Sequence, residues 1–324
     1  MSKKYNILVT AVGAVVGYGI VDGLRMSGYD VNIIGTDIFS DAVGQYFCDD
    51  FIRAVPAADP GYIDFLKDTM DRRDIDLVLF GIEQELLSVA AAWDSLDRYR
   101  SRLAVNDPWL TDICNDKWTT AVWLKDNGMG EYAINGTVDG SFDEIAKKLG
   151  CPFMLKPRDS RASKGIFVVD NKTDFDFYSA KMGASFMAQE IVGDRDHEYT
   201  VGVFGDGKGG HAGSIILRRT LSQEGATAKA WVVDDAEISR AVDRLTMAAR
   251  PEGPCNYQFR TVDGKPLLLE INPRISSSTS IRSKFGYNEP AMCIEYYCEG
   301  RMPEAPVVRK GTALRYISDW VTML

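Results

Sequence analysis

Histidine is scarce in this sequence: only His197 and His211 occur among 324 residues. That leaves nothing for chemistry built on a histidine cluster and argues against a Ser-His-Asp triad. Six cysteines (Cys48, Cys114, Cys151, Cys255, Cys293, Cys298) are scattered without a C-x-x-C pair. Most lie in apolar surroundings such as Leu149-Gly150-Cys151-Pro152-Phe153 and read as reduced core thiols, not as metal ligands or disulfide partners. Long apolar runs are also missing, since Ile7 to Val16 falls far short of the roughly 20 residues a membrane helix needs. Residues Met1 to Tyr5 lead into a strand-like run without the apolar core and cleavage site of a signal peptide, so a cytoplasmic location is the expectation. Basic residues are in deficit, 37 Lys and Arg against 46 Asp and Glu, for a net charge of −9 and a pI near 4.9. Such a surface repels a polyanion, and neither nucleic acid nor a membrane is an expected partner.

With 45% hydrophobic and 26% charged residues, the composition is that of a globular chain able to bury a sizeable core. Its length allows roughly two domains of about 150 residues. Tyr5 to Val12 reads as a buried strand, followed by a glycine turn and an amphipathic stretch from Ile20. A second apolar run spans Val31 to Asp37, Tyr62 to Arg73 is helical, and Asp76 to Gly81 is a third strand. Alternation of strand and helix predicts an α/β, doubly wound parallel sheet over residues 1–107. Asn106-Asp107-Pro108 is a turn, and Trp109 to Asn127 reads as helices carrying Asp116-Lys117. Beyond it, short strands dominate: 153–156, 165–169, 186–190, 199–204, 214–217, 256–261 and 267–271, with helices near 174–181 and 235–249. That pattern predicts a second, α+β part with antiparallel hairpins.

The glycines Gly13-x-x-x-Gly17-x-Gly19 do not form the G-x-G-x-x-G dinucleotide fingerprint, although Asp37 stands about where a ribose-binding acid would. Two readings stay open. The glycines permit a tight turn and close helix packing, or the helix N-terminus after Gly13 offers N–H groups to an anion.

The most informative segment runs from Asn256-Tyr257-Gln258-Phe259-Arg260 through Asp263-Gly264 to Leu267-Leu268-Leu269-Glu270-Ile271-Asn272-Pro273-Arg274. Two strands joined by an Asp-Gly turn make a hairpin, and Glu270 and Asn272, two apart, point to one face. If the connecting loop has an odd number of residues, Gln258 shares that face. Three hard oxygen donors would then converge, a set suited to Mg²⁺ carrying a nucleotide's phosphates. The bland alternative is a salt-bridged Glu270 with Asn272 capping a turn.

Leu-Glu-Ile-Asn-Pro-Arg resembles the metal-binding strand of the ATP-grasp superfamily, most closely its carbamoyl-phosphate-synthase-like branch, and other family elements follow in order. Asn115-Asp116-Lys117-Trp118-Thr119 resembles the D-K-x-x-T element, whose lysine, here Lys117, reaches the phosphates. Cys151 to Pro157 is similar to the strand whose terminal lysine, here Lys156, holds the α- and β-phosphates. Met187 to Val192 resembles the hinge whose backbone, at Glu190, Ile191 and Val192, reads adenine, and Glu198 falls where a ribose-binding acid would sit. Ile215 to Arg219 matches the strand delivering a basic residue, Arg218 or Arg219, to the transferred phosphate. The phosphate lid departs from the family, because Pro157 to Gly165 holds a single glycine; Ser160, Ser163 and backbone N–H groups would bind the γ-phosphate, with Arg158, Arg161 and Lys164 adding charge.

The resemblance implies a pre-ATP-grasp domain over 1–107 and an ATP-grasp domain over 108–324. The latter divides into a helical linker 108–150, a small lid subdomain at about 151–190 and a metal-binding subdomain at about 191–324. It implies a ligase that uses ATP and Mg²⁺, with Mn²⁺ as a substitute, to join a small-molecule carboxylate to an amine or ammonia through an acyl phosphate. Gln258, Glu270 and Asn272 would hold the metal, and Arg219 and Arg274 the transferring group. Acceptor loops are expected at Gly13 to Tyr18, Gly81 to Glu85 and the hydroxyl-rich Ile275 to Arg282, and a homodimer is common among similar enzymes. Competing classes are a non-catalytic or regulatory ATP-binding protein on the same fold and an NAD-dependent oxidoreductase, which leaves the second half without a purpose. A full carbamoyl phosphate synthase would need two such modules and a glutaminase.

Overall fold

The computed structural model describes residues 3–159, 165–223 and 225–322. A four-stranded parallel sheet opens the chain: β1 (Tyr5–Val9), β2 (Val31–Asp37), β3 (Asp50–Arg53) and β4 (Leu77–Leu79), in the order β3-β2-β1-β4. Central β1 and the end strand β4 are almost wholly apolar and buried, as parallel strands covered on both faces must be. The edge strand β3, with Asp50 and Arg53 at its ends, was not expected; half-buried and polar-ended, it lacks the apolar run that marks the others.

The glycine cluster allows close packing. A side chain at Gly17 would place its Cβ 2.1 Å from the Ala11 carbonyl oxygen, and one at Gly23 would meet Pro290 at 2.8 Å. Helix Val15–Arg25 therefore sits tight on β1 and on the C-terminal helices Thr279–Lys284 and Glu289–Cys293. Asp37 accepts from the Gly13 and Phe39 N–H groups at 2.9 and 3.0 Å, so it clamps the loop between β2 and the glycine turn. One core, including Ile20, Leu24, Phe204, Leu217, Tyr287 and Ile294, joins this layer to the rest of the molecule.

A small antiparallel sheet follows, with β5 (Gly136–Thr137), β6 (Phe153–Pro157), β7 (Phe167–Val169) and β8 (Phe186–Gln189) in the order β5-β8-β6-β7. Its first strand and the capped helix Phe142–Leu149 come from the stretch expected to be a purely helical linker. Alternation along β6 buries Phe153 and Leu155 against Ile145, Phe175 and Ala188 and turns Met154 and Lys156 the other way.

The largest sheet is antiparallel: β9 (Glu198–Asp206), β10 (His211–Leu221), β11 (Thr227–Val232), β12 (Glu252–Val262), β13 (Lys265–Asn272) and β14 (Thr312–Leu314), ordered β13-β12-β9-β10-β11-β14. One face packs Val201, Tyr257, Phe259 and Ile271 on helix Ala236–Ala249. The segment after β14 returns to the first layer, where Trp320 stacks on Tyr46 with ring centroids 5.2 Å apart. Among the described residues no helix is long and apolar enough to cross a membrane.

Candidate active site

The Asp263-Gly264 turn has only two residues, both with positive φ (50° and 76°), the geometry a tight hairpin requires. An even loop would set Gln258 opposite Leu269 and turn Glu270 to the wrong face. A β-bulge corrects this: Phe259 pairs with Leu268, but Gln258 pairs with Glu270 and Asn256 with Asn272. The condition for convergence is thus met by an extra residue in β13 and not by the loop. The bulge also lets the consecutive residues Leu269 and Glu270 both line the cleft.

That cleft lies between the small and large sheets and has a cavity volume of about 380 Å³, within the roughly 300–1,000 Å³ of an ordinary small-molecule pocket. Its charged lining comprises five cations (Lys117, Lys156, Arg219, Arg260, Arg274) and three carboxylates (Glu190, Glu198, Glu270). This is a local positive surplus in a chain of net charge −9. Field focusing in such a cleft favours an anionic ligand.

Lys156 is only 6% exposed, and its Nζ donates to the neutral Oε1 of Gln189 at 2.6 Å. Burial, reinforced by the nearby charge of Lys117, pulls its pKa down to about 8. Lys117 opens helix Lys117–Asp126, whose N-cap is Asp116, accepting from Trp118 and Thr119 N–H groups at 2.8 and 3.0 Å. Asp116 also pairs with Arg158 at 2.6 Å, so Arg158 braces the helix start instead of standing free as lid charge. Ser160, Arg161, Ser163 and Lys164 lie outside the described residues.

Glu198 on β9 pairs with Arg219 at 3.1 Å and with Arg260 at 3.0 Å, and is 4% exposed. Each of its carboxylate oxygens accepts from a guanidinium, so this residue, expected to meet a ribose, lines the cleft while organising two arginines. Arg219 also donates to Gln258 Oε1 at 2.5 Å. The expectation for Arg218 is corrected. Pairing with Tyr199 and Trp231 places it on the opposite face of β10, its guanidinium 4.9 Å over the Trp231 ring, away from the cleft.

Asn272 donates to Glu270 at 3.0 Å and accepts from Arg274 at 2.9 Å, while Arg274 reaches Glu83 of helix Glu83–Ala91 at 3.3 Å. The oxygens of Gln258, Glu270 and Asn272 share one face, and a single carboxylate with amide oxygens suits a Mg²⁺ ion that takes most of its ligands from phosphates and water. The donor set fits that ion. Among the described residues no group of three His, Cys, Asp or Glu offers a self-sufficient metal site.

At one end of the cleft stand Ile134, Met154, Ile166, Val192 and Leu269, an apolar slot. Beside it the Glu190 N–H bonds to the Asn135 carbonyl at 3.0 Å, Val192 lines the slot, and Ile191 is exposed. At the other end, Val15, Val16, Leu221, Ala226, Ser276 and Ser277 bring the glycine turn and the hydroxyl-rich loop together. Gly81 and Glu85 instead close on Thr10: the Gly81 N–H donates to its hydroxyl at 3.0 Å, and that hydroxyl donates to Glu85. Arg260 was legible but missed, since the period of two that joins Glu270 to Asn272 also joins Gln258 to Arg260. Gln189 and Glu83 carry no such signal, because strand pairing and layer contacts place them.

Two antiparallel sheets closing on a cationic cleft, behind a parallel layer, have known counterparts. A biotin carboxylase–β,γ-ATP complex from Campylobacter jejuni superposes with a TM-score of 0.74 over 95% of this chain and 74% of its own, at 16% identity. An N5-carboxyaminoimidazole synthetase from Staphylococcus aureus complexed with ADP gives 0.73 over 95% and 81%, at 15% identity. The chain has the ATP-grasp fold. An L-amino acid ligase from Bacillus licheniformis superposes on this chain at a TM-score of 0.66 over 91% of this chain and 74% of its own, with 17% identity. In sequence, residues 186–320 match a family described as ATP-grasp in the biosynthetic pathway with Ter operon, a stretch that holds the bulged hairpin. No curated protein matches the chain by sequence.

Proposed function

We propose that this ATP-grasp protein is an ATP-dependent ligase that activates a substrate carboxylate as an acyl phosphate and passes the acyl group to an amine or ammonia. The observation that carries the reading is the pairing of a buried Lys156, whose hydrogen-bond partner is neutral, with a hairpin presenting Gln258 and Glu270 to the same cleft, Asn272 hydrogen-bonded behind Glu270. A buried cation whose hydrogen-bond partner is neutral is costly unless an anion completes the site. A nucleotide's phosphates are such an anion.

In this reading adenine enters the slot of Met154, Ile166, Val192 and Leu269, and the ribose continues towards Arg260. Lys117 and Lys156 hold the phosphates, while Arg219 and Arg274 neutralise the group in transfer. The substrate carboxylate sits by Ser276 and Ser277, where its oxygen attacks the γ-phosphorus and ADP leaves with the bridging oxygen. The amine then attacks the acyl carbon, releases phosphate and gives up a proton. Gln258, Glu270 and Asn272 would hold Mg²⁺, which when bound neutralises phosphate charge. No protein nucleophile is needed.

The test is ATP-dependent hydroxamate formation with hydroxylamine as a universal amine, over a panel of amino acids, peptides and sugar acids. A hydroxamate from one carboxylate, lost in Glu270→Gln while the fold persists, establishes the reaction. Nucleotide binding without product over the panel would favour a regulatory nucleotide-binding role, and undiminished product from Glu270→Gln would remove the metal strand from the mechanism.

A further inference from the structure

Two parallel relays converge on the metal-facing oxygens. Glu198 holds Arg219 at 3.1 Å, and Arg219 caps Gln258 Oε1 at 2.5 Å. Glu83 holds Arg274 at 3.3 Å, and Arg274 caps Asn272 Oδ1 at 2.9 Å. Both amide oxygens that would ligate a metal are therefore occupied by guanidinium groups. Of the trio only Glu270 carries charge, and one of its oxygens accepts from Asn272 Nδ2 at 3.0 Å.

We infer that Arg219 and Arg274 are exchangeable caps on the metal oxygens, so that a divalent cation is admitted only together with a nucleotide triphosphate and both arginines then pass to the phosphates. The inference rests on the nucleotide-site reading above. Its physical basis is charge. A bare dication meeting this site finds a guanidinium on each amide oxygen it needs; Glu83 and Glu198 are committed to those guanidinium groups, which leaves Glu270 alone to face the ion, and like charges sharing an oxygen repel. A triphosphate changes the balance by supplying acceptors that bind a guanidinium more strongly than a neutral amide oxygen does. The cap then becomes the phosphate clamp, with each arginine kept within reach by its carboxylate. Glu83 and Glu198 are the positioning residues of this exchange, and because Glu83 starts a helix of the first layer, that layer takes part in setting the metal strand.

The order of events is readable without turnover, using Mn²⁺ as the probe and the water-proton relaxation enhancement that appears when the ion is held on a protein. The full chain alone should give little enhancement, and addition of a non-hydrolysable ATP analogue should produce it. Arg274→Met, whose side chain is partly exposed, and Arg219→Met should each raise nucleotide-free Mn²⁺ affinity at least tenfold. Two such variants guard against the failure of either one to fold. Equal Mn²⁺ affinity of the unmodified chain with and without analogue would overturn the exchange alone, as would the absence of any gain in folded variants. Absence of Mn²⁺ binding even with the analogue would overturn the nucleotide-site reading and the exchange with it.

Discussion

The ammonium of Lys156 donates to the side-chain oxygen of Gln189 across the β6–β8 pair at 2.6 Å, and among the described residues no carboxylate shares that bond. The cation is thus held ready for a ligand at the expense of the empty protein. Lys156→Met should weaken nucleotide binding by about 10- to 100-fold, the worth of one charge-assisted contact. Thermal stability without nucleotide should be retained or raised. Calorimetric titration with ATP, beside a melting curve, checks both halves, and an unchanged affinity would remove Lys156 from the phosphate site.

The same lysine predicts a pH signature. Its folded pKa of about 8 lies below the ordinary lysine value of 10.5, so between those values the unfolded chain binds the proton and the folded chain does not. Stability of the empty protein should rise with pH across that window, by up to about 3 kcal/mol from this group. Phosphate should restore the proton, so ATP binding near pH 9 should take up close to one proton and near pH 6.5 almost none. Titrations in buffers of different ionisation enthalpy measure that uptake, and Lys156→Met should abolish it.

Glu85 behaves oppositely. It is 5% exposed, and burial raises its pKa to about 7, with the Thr10 hydroxyl pulling the other way. Between 4.5 and 7 the folded state binds the proton and the unfolded state does not, so stability contributed here falls as pH rises through that interval. Glu85→Gln should be more stable than the parent at pH 8, by up to about 3 kcal/mol, and indistinguishable from it below about pH 4.5. Denaturant midpoints at the two pH values settle the sign.

Beneath the site, Arg282 and Glu289 form an ion pair at 2.9 Å with both side chains inaccessible to solvent. Arg282 further donates to Thr200 at 3.1 Å and to Asn256, fixing the floor below Gln258. Arg282→Met should cost about 3–5 kcal/mol, because it strands a buried carboxyl, and the double change with Glu289→Gln should recover part of that loss. A double-mutant cycle by chemical denaturation gives the coupling directly; additive effects would contradict it.

Much of the fold was legible because its signals are local. The apolar runs of β1, β2 and β4 and the Asp-Gly hairpin follow from period and turn chemistry, and the face shared by Glu270 and Asn272 follows from their spacing. The bulge at Leu269 was not legible, since nothing in the sequence says that the loop is even and the strand one residue too long. Glu198 was located, but its neighbours decide its chemistry, and Arg219 and Arg260 reach it only through the β10-β9-β12 pairing. The short strands β5, β11 and β14 are set by the strands beside them and carry weak patterns of their own. The glycine cluster allowed two readings; the contacts of Gly17 and Gly19 with other elements support close packing, and Val15 and Val16 leave the helix start at the cleft.

Arg218 and Arg219 are neighbours in sequence with the same chemistry, yet strand alternation sends them to opposite faces of β10. Arg219 is 5% exposed and shared between Glu198 and Gln258, whereas Arg218 lies over Trp231. Arg219→Lys keeps the charge but cannot span both partners with one fork, so hydroxamate formation should fall by about 10²- to 10³-fold, as when one preorganised donor to a developing anion is lost. Arg218→Lys should keep turnover within about twofold and cost well under 1 kcal/mol of cation–π stabilisation. Rates for the two variants under identical conditions decide the assignment: equal losses would mean that the face of β10 does not determine which arginine meets the phosphate.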